Sequence, residues 1–112
     1  MNTPSLSTHV LDAVSGTPAT GMPVALERRS APRSGWTAVD RGTTDDDGRI
    51  GSLAPARLEP GVYRLVFDVD AYTAEASGFY PEVSVVFRIT EERHYHVPLL
   101  LSPFAYSTYR GS

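Results

Sequence analysis

Apolar residues recur mostly at every second position along this chain, and clusters of Gly, Pro, Asp and Ser interrupt them every eight to twelve residues. A two-residue period is that of strands buried on one face, and turn signals at that spacing suit an all-β sandwich or barrel. Seven or eight strands are expected, over 6–12, 24–29, 36–43, 50–53, 62–69, 83–89, 95–101 and 105–109. Pro18, Gly21 and Pro23 separate the first two, Asp45-Asp46-Asp47-Gly48 forms an acidic turn, and in Glu59-Pro60-Gly61 the Pro presets φ while the Gly accepts a positive one. Pro81 and Pro98 have no N–H to donate and belong at strand ends or edges. Only 71–76 has helix-like composition, enough for one or two turns that need a neighbour to pack on.

The same period assigns faces. Tyr63, Leu65, Phe67 and Val69 point one way, as do Val83, Val85, Phe87 and Ile89, and both rows are core faces. Leu6 and Val10 share one side of the first strand while Ser7, His9 and Leu11 share the other, and Tyr95, Val97 and Leu99 oppose His94 and His96. With the aliphatic sides buried, all three histidines of the chain face outward. They share one sheet face only if the first strand and the Tyr95 strand belong to the same sheet.

Composition narrows the class. At 112 residues and 41% hydrophobic, the chain suffices for one domain, 1–112, with an ordinary apolar core. Without Cys, thiol chemistry, Cys-ligated metal and disulfides are excluded. Thirteen acids against ten Arg, with no Lys, give a net charge of −3, so no broad basic face for nucleic acid or anionic membrane is expected. An anion recognised here is small and met by Arg. No basic start followed by an apolar stretch opens the sequence, and its longest aliphatic run, 97–101, is far short of a membrane span, which makes a cytoplasmic protein the expectation.

Three groups of residues carry candidate chemistry. His94 and His96, two apart on a strand, place their imidazoles about 7 Å apart on one side. With His9 they suit general acid–base work near neutral pH, or a three-imidazole metal site, or simply the wet face of a sheet. Thr43-Thr44-Asp45-Asp46-Asp47-Gly48-Arg49 ends in an Arg able to fork onto two oxygens of a planar ligand. As a calcium loop it lacks the closing Glu and the flanking helices, and as a structural feature it is a solvated hairpin turn. The tail Tyr106-Ser107-Thr108-Tyr109-Arg110-Gly111-Ser112 is aromatic, hydroxyl-rich and Arg-bearing, unlike a chain end left to fray, and it reads as docked. Neither G-x-S-x-G nor S-x-x-K occurs, so a serine nucleophile has no support.

Five ordered stretches carry a resemblance: Leu6-Ser7-Thr8-His9-Val10-Leu11-Asp12, Thr44-Asp45-Asp46-Asp47-Gly48-Arg49, Phe79-Tyr80-Pro81-Glu82-Val83, the run from His94-Tyr95-His96 to Ser102-Pro103, and the closing Tyr106-Ser107-Thr108-Tyr109-Arg110-Gly111-Ser112. Together they resemble the 5-hydroxyisourate hydrolase family, transthyretin-like proteins of purine degradation, over nearly the whole chain. The closing four residues are the most specific, since in that family they separate the hydrolases from hormone-carrying transthyretins. The resemblance implies an all-β, transthyretin (prealbumin)-like sandwich of two four-stranded sheets with one short helix. It further implies a homotetramer, a dimer of dimers, whose active sites lie along a central channel.

By position, the resemblance makes His9, Arg49 and His96 the catalytic trio, adds Ser112 to the catalytic set, and puts Tyr109 with His9 and Arg49 against the substrate. His94 lies beside the motif and outside the trio. The implied reaction is hydrolytic opening of the six-membered ring of 5-hydroxyisourate to the ureidoimidazoline on the route to allantoin, with no cofactor and no metal. Two readings of other classes stand beside it. One is a transthyretin-like carrier that binds a small ligand without turnover; the other is a metal-binding sandwich through His9, His94 and His96.

Overall fold

A computed structural model of the chain describes residues 5–54, 58–73, 78–91 and 93–111. The first strand, β1 (Ser5–Asp12), organises one sheet. On one side it pairs antiparallel with the short β2 (Thr17–Pro18) and with β5 (Arg49–Leu53). On the other it runs parallel to β8 (His94–His96) and β9 (Leu99–Ser102), and β10 (Ala105–Thr108) closes that side antiparallel to β9. The second sheet is the antiparallel ladder β4 (Trp36–Thr43), β3 (Pro23–Arg29), β6 (Gly61–Asp68), β7 (Glu82–Ile89). Because β5 with β2, and β8 with β9, each occupy one track beside their neighbour, both sheets are four tracks wide, as expected.

The departures have local causes. The strand expected over 95–101 is divided because Pro98 has no N–H for the ladder, although both halves stay beside β1. Across the break Val97 donates its N–H to the Ser7 carbonyl at 3.1 Å. The helix starts earlier than expected: α1 is Val69–Tyr72, with the Asp68 carboxylate capping it through the Ala71 N–H, while 74–77 lie outside the described residues. Asp68 followed by Asp70 in the first turn is the N-terminal signal that overrides the alternation running up to Val69.

Between the sheets lie the inward positions of each strand. Leu6, Val10, Leu26, Leu65, Phe67 and Leu99 are fully buried, and each such side chain contributes about 1.5–3 kcal/mol by leaving water. Two threonine hydroxyls, among the described residues, share this interior and both are satisfied. Thr8 donates to the Val97 carbonyl, bracing β1 against the broken strand, and Thr44 donates to the Ala19 carbonyl while accepting the Met22 N–H. Val85 and Phe87, on the edge strand β7, are only half-buried, where the gap between the sheets opens beside the chain's tail.

Candidate active site

The condition left open by the strand pattern is met: β1 and β8 are neighbours, with Ser5 opposite His94 and Ser7 opposite His96. Since paired residues of adjacent strands point the same way, the alternation that buries Leu6, Val10 and Tyr95 sends Ser5, Ser7, His9, His94 and His96 onto one outer face. Arg49 joins them from the other side of β1, directly opposite His9 in the β1–β5 register.

The acidic turn delivers Arg49. Asp45 accepts the N–H groups of Asp47 and Arg49 on one carboxylate oxygen, at 2.9 and 3.0 Å, while its carbonyl accepts the Gly48 N–H. Gly48 has φ +73° and sits against β1, its own carbonyl accepting the Val10 N–H at 2.8 Å. A Cβ there would fall 2.5 Å from the Val10 oxygen, so glycine is required both for the dihedral and for the contact. The N–H of Arg49 foremost, with that of Asp47 and the charges of Arg49 and His9, outweighs desolvation and holds the Asp45 carboxyl below the usual range. The turn is thus a structural anchor for Arg49, and its carboxylates show no calcium-loop geometry: among the described residues no three acids or histidines are placed to hold a metal ion.

Hydrogen bonds order the histidines. Ser5 Oγ lies 2.6 Å from His94 Nδ1, and Ser7 Oγ lies 2.7 Å from His94 Nε2 and 2.8 Å from His96 Nδ1. His94 and His96 therefore face a shared hydroxyl, and among the described residues the Nε2 of His96 is the nitrogen left for a ligand. Burial first, then the charges of Arg49, His9 and His94, push the His96 imidazole below its ordinary value, against a smaller opposing effect of the Ser7 main chain. The shift favours the uncharged imidazole.

The tail is docked, as its composition suggests. Thr108 pairs with Leu99, and three residues on Gly111 pairs with His96 in the same register, its N–H donating to the His96 carbonyl at 2.8 Å. Over the gap at Pro98 the Thr108 hydroxyl donates to the Pro98 carbonyl. Arg110 turns the other way and lies over the Tyr95 ring, 5.0 Å from its centre. A Cβ on Gly111 would come within 2.5 Å of the His96 ring, so the tail passes over that imidazole as only glycine allows. Tyr109, 60% exposed, borders one cavity of 330 Å³ with His96, Val97 and Arg110. On the other side of His96 a groove of 270 Å³ is lined by Ser7, Arg49, Ile50, Gly51 and His94.

Of the residues singled out in the sequence, His9, Arg49 and His96 converge on this face, Tyr109 borders the separate cavity that opens between the sheets and shares only His96 with the groove, and Ser112 lies outside the described residues. Sequence reading left out Ser7 and set His94 aside. The signal for Ser7 was its place two residues before His9 on the same face; its partners required knowing that β8 lies beside β1.

The model of the HIUase/Transthyretin family matches residues 6–111. The 5-hydroxyisourate hydrolase of Mus musculus is 50% identical over 111 residues, covering 96% of this chain and 94% of that protein. Among solved structures, Klebsiella pneumoniae 5-hydroxyisourate hydrolase superposes with a TM-score of 0.84 at 35% identity, over 96% of this chain and 99% of that one. Sea bream transthyretin in complex with thyroxine gives the same TM-score, 0.84, at 37% identity, over 95% of this chain and 93% of that one. Overall shape therefore does not divide an enzyme from a carrier, and the division falls to the side chains on the outer face.

Proposed function

The chain belongs to the HIUase/Transthyretin family, and we propose that it is a hydrolase of 5-hydroxyisourate, opening the six-membered ring of that purine-derived substrate to 2-oxo-4-hydroxy-4-carboxy-5-ureidoimidazoline. The observation that carries the reading is the convergence of Arg49 and His9, paired across β1 and β5, with His96 on the same face. A carrier of an apolar ligand is disfavoured by the same groups. Each polar side chain left unpaired against such a ligand costs about 1–3 kcal/mol.

In the proposed mechanism the free Nε2 of His96 takes a proton from water as its oxygen attacks the ring carbonyl. His96 is suited to this because burial and its cationic neighbours keep it unprotonated. Arg49 and His9 meet the oxyanion of the tetrahedral intermediate. On collapse the carbon–nitrogen bond breaks, and His96 returns the proton to the departing nitrogen, base becoming acid as in acyl transfer generally. The tail residues Tyr109 and Ser112 are proposed to orient the ring from the far side of His96, where Tyr109 borders the neighbouring cavity. Neither a cofactor nor a metal enters any of these steps.

The proposed assembly is a homotetramer, a dimer of dimers. The free edges β7 and β10 expose Val86 and Tyr106, which suits edge-to-edge pairing of two copies. A second dimer laid over the outer face would convert the open groove at Arg49 and His96 into a water-poor channel. The test is the ultraviolet absorbance decay of 5-hydroxyisourate generated from urate by urate oxidase. Catalytic amounts of the chain are expected to accelerate it well beyond the spontaneous rate. Decay at the spontaneous rate from a folded protein would leave a carrier in its place.

A further inference from the structure

The hydrogen-bonded row Ser5–His94–Ser7–His96 has a property that a set of separate polar contacts lacks. A serine hydroxyl has one proton to donate. Ser7 Oγ stands between two ring nitrogens, at 2.7 Å from His94 Nε2 and 2.8 Å from His96 Nδ1, so it donates to one and accepts from the other. With both rings neutral, only two arrangements satisfy the whole row. In the first, His96 Nδ1–H donates to Ser7, Ser7 donates to His94 Nε2, and His94 Nδ1–H donates to Ser5, leaving His96 Nε2 as a bare base. In the second every donor and acceptor is reversed, and His96 Nε2 carries a proton. The protonation of His96 Nε2 is tied to that of His94, two residues away and open to solvent.

We propose that Ser7 and His94 act as a proton relay behind His96, carrying charge from the reacting imidazole outward to a solvent-exposed one and back again within each turnover. This rests on the hydrolase reading above and adds to it Ser7 and His94, which line the same groove and act through His96. When His96 Nε2 gains a proton from water, its Nδ1–H bond breaks and an Oγ–H bond forms on Ser7. The original hydroxyl proton of Ser7 passes to His94 Nε2. His96 is then neutral with its proton on Nε2, and His94 is the imidazolium, its Nδ1–H donated to Ser5. Transfer of the Nε2 proton to the departing nitrogen runs the shift backward and restores the starting tautomers, with no net gain or loss of protons.

The charge distribution supplies the reason for such a device. His96 is faced by Arg49 from β5, His9 from β1 and His94 from its own strand, and an imidazolium there would be half-buried near the Arg49 guanidinium. Moving the charge to His94 places it farther from Arg49 and in water, where like charges are screened. Ser7 projects away from the core, so changing it removes no buried packing.

The test combines kinetics with nitrogen-15 spectroscopy on the full chain. Ser7→Ala is expected to lower kcat about ten- to a hundredfold with KM within about twofold, a part of the gain that acid–base catalysis supplies. The solvent-deuterium proton inventory, bowed in the wild type by several protons in flight, becomes linear. Ser7→Thr keeps a hydroxyl and is expected to retain both rate and curvature, and added imidazole is expected to restore His94→Ala in part. Wild-type kcat and curvature in Ser7→Ala would overturn the relay, as would equal damage from Ser7→Thr. Imidazole nitrogen-15 shifts read the same coupling without turnover: Ser7→Ala is expected to change the tautomer balance of both rings together. Rings that ignore the substitution overturn the relay whatever the activity, whereas coupled rings in a protein that fails to open the substrate count against the hydrolase reading alone.

Discussion

The two outer sheet faces are built on the same two-residue period, yet they handle positive charge in opposite ways. On the face of β3, β4 and β6, Arg64 is bonded to Glu27 and lies 4.5 Å from the centre of the Trp36 ring, and Arg29 covers the same ring at 5.2 Å. On the face of β1, β5 and β8, Arg49 stands beside three imidazoles, while the Asp45 carboxylate, four residues before it, is engaged by main-chain N–H groups. In the first set both guanidinium groups are stacked and one is paired with a carboxylate, whereas Arg49 faces a groove. A surface Arg held by a carboxylate and an indole stabilises the fold, while an Arg held in position by its backbone and left unpaired is available to a ligand.

The largest effect expected from breaking this contrast is at His96. His96→Gln keeps a polar side chain but removes the base, and the hydrolysis rate is expected to fall about 10²–10⁴-fold with the melting temperature little changed. Arg49→Ala follows, with a loss of about 10²–10³-fold in kcat, the size typical of one oxyanion donor. Gly111→Ala adds a Cβ that would meet the His96 ring at 2.5 Å, so the tail or the imidazole shifts. A rate loss of about tenfold or more in steady-state assays is expected, since small misplacement of a reacting group is costly. The pH profile gives a finer test. Because burial and neighbouring cations depress His96, the acid limb of kcat is expected below pH 6.5, the ordinary imidazole value, with activity lost as pH falls through it. Arg49→Gln removes one of those cations and is expected to move the limb upward. Smallest of all, Arg64→Ala on the compensated face is expected to cost about 0–1 kcal/mol in denaturant unfolding and nothing in rate.

Much of the site was legible because strand periodicity fixes faces without knowledge of the partners. Leu6 and Val10 inward force Ser7 and His9 outward, and Tyr95 inward does the same for His94 and His96. Arg49 was legible as a residue but not as a neighbour: its place opposite His9 depends on a turn whose Gly48 presses against β1, a contact between segments nearly forty residues apart. The start of α1 was missed because Val69 continues the core row of β6 while the Asp68 cap ends the strand. Pro98 signalled a strand end, but nothing local shows that the ladder resumes beyond it, nor that Gly111 later rejoins the same register at His96. His94 was set aside because its partners, Ser5 and Ser7, lie across a parallel pairing that sequence spacing does not reveal.

The most direct test of the contrast is to measure 5-hydroxyisourate decay and thermal unfolding side by side for the wild type, Arg49→Ala and Arg64→Ala. The account predicts that Arg49→Ala loses about a hundredfold or more in rate and keeps its melting temperature, while Arg64→Ala keeps the rate and loses at most a few degrees. Wild-type hydrolysis by a folded Arg49→Ala protein would contradict it.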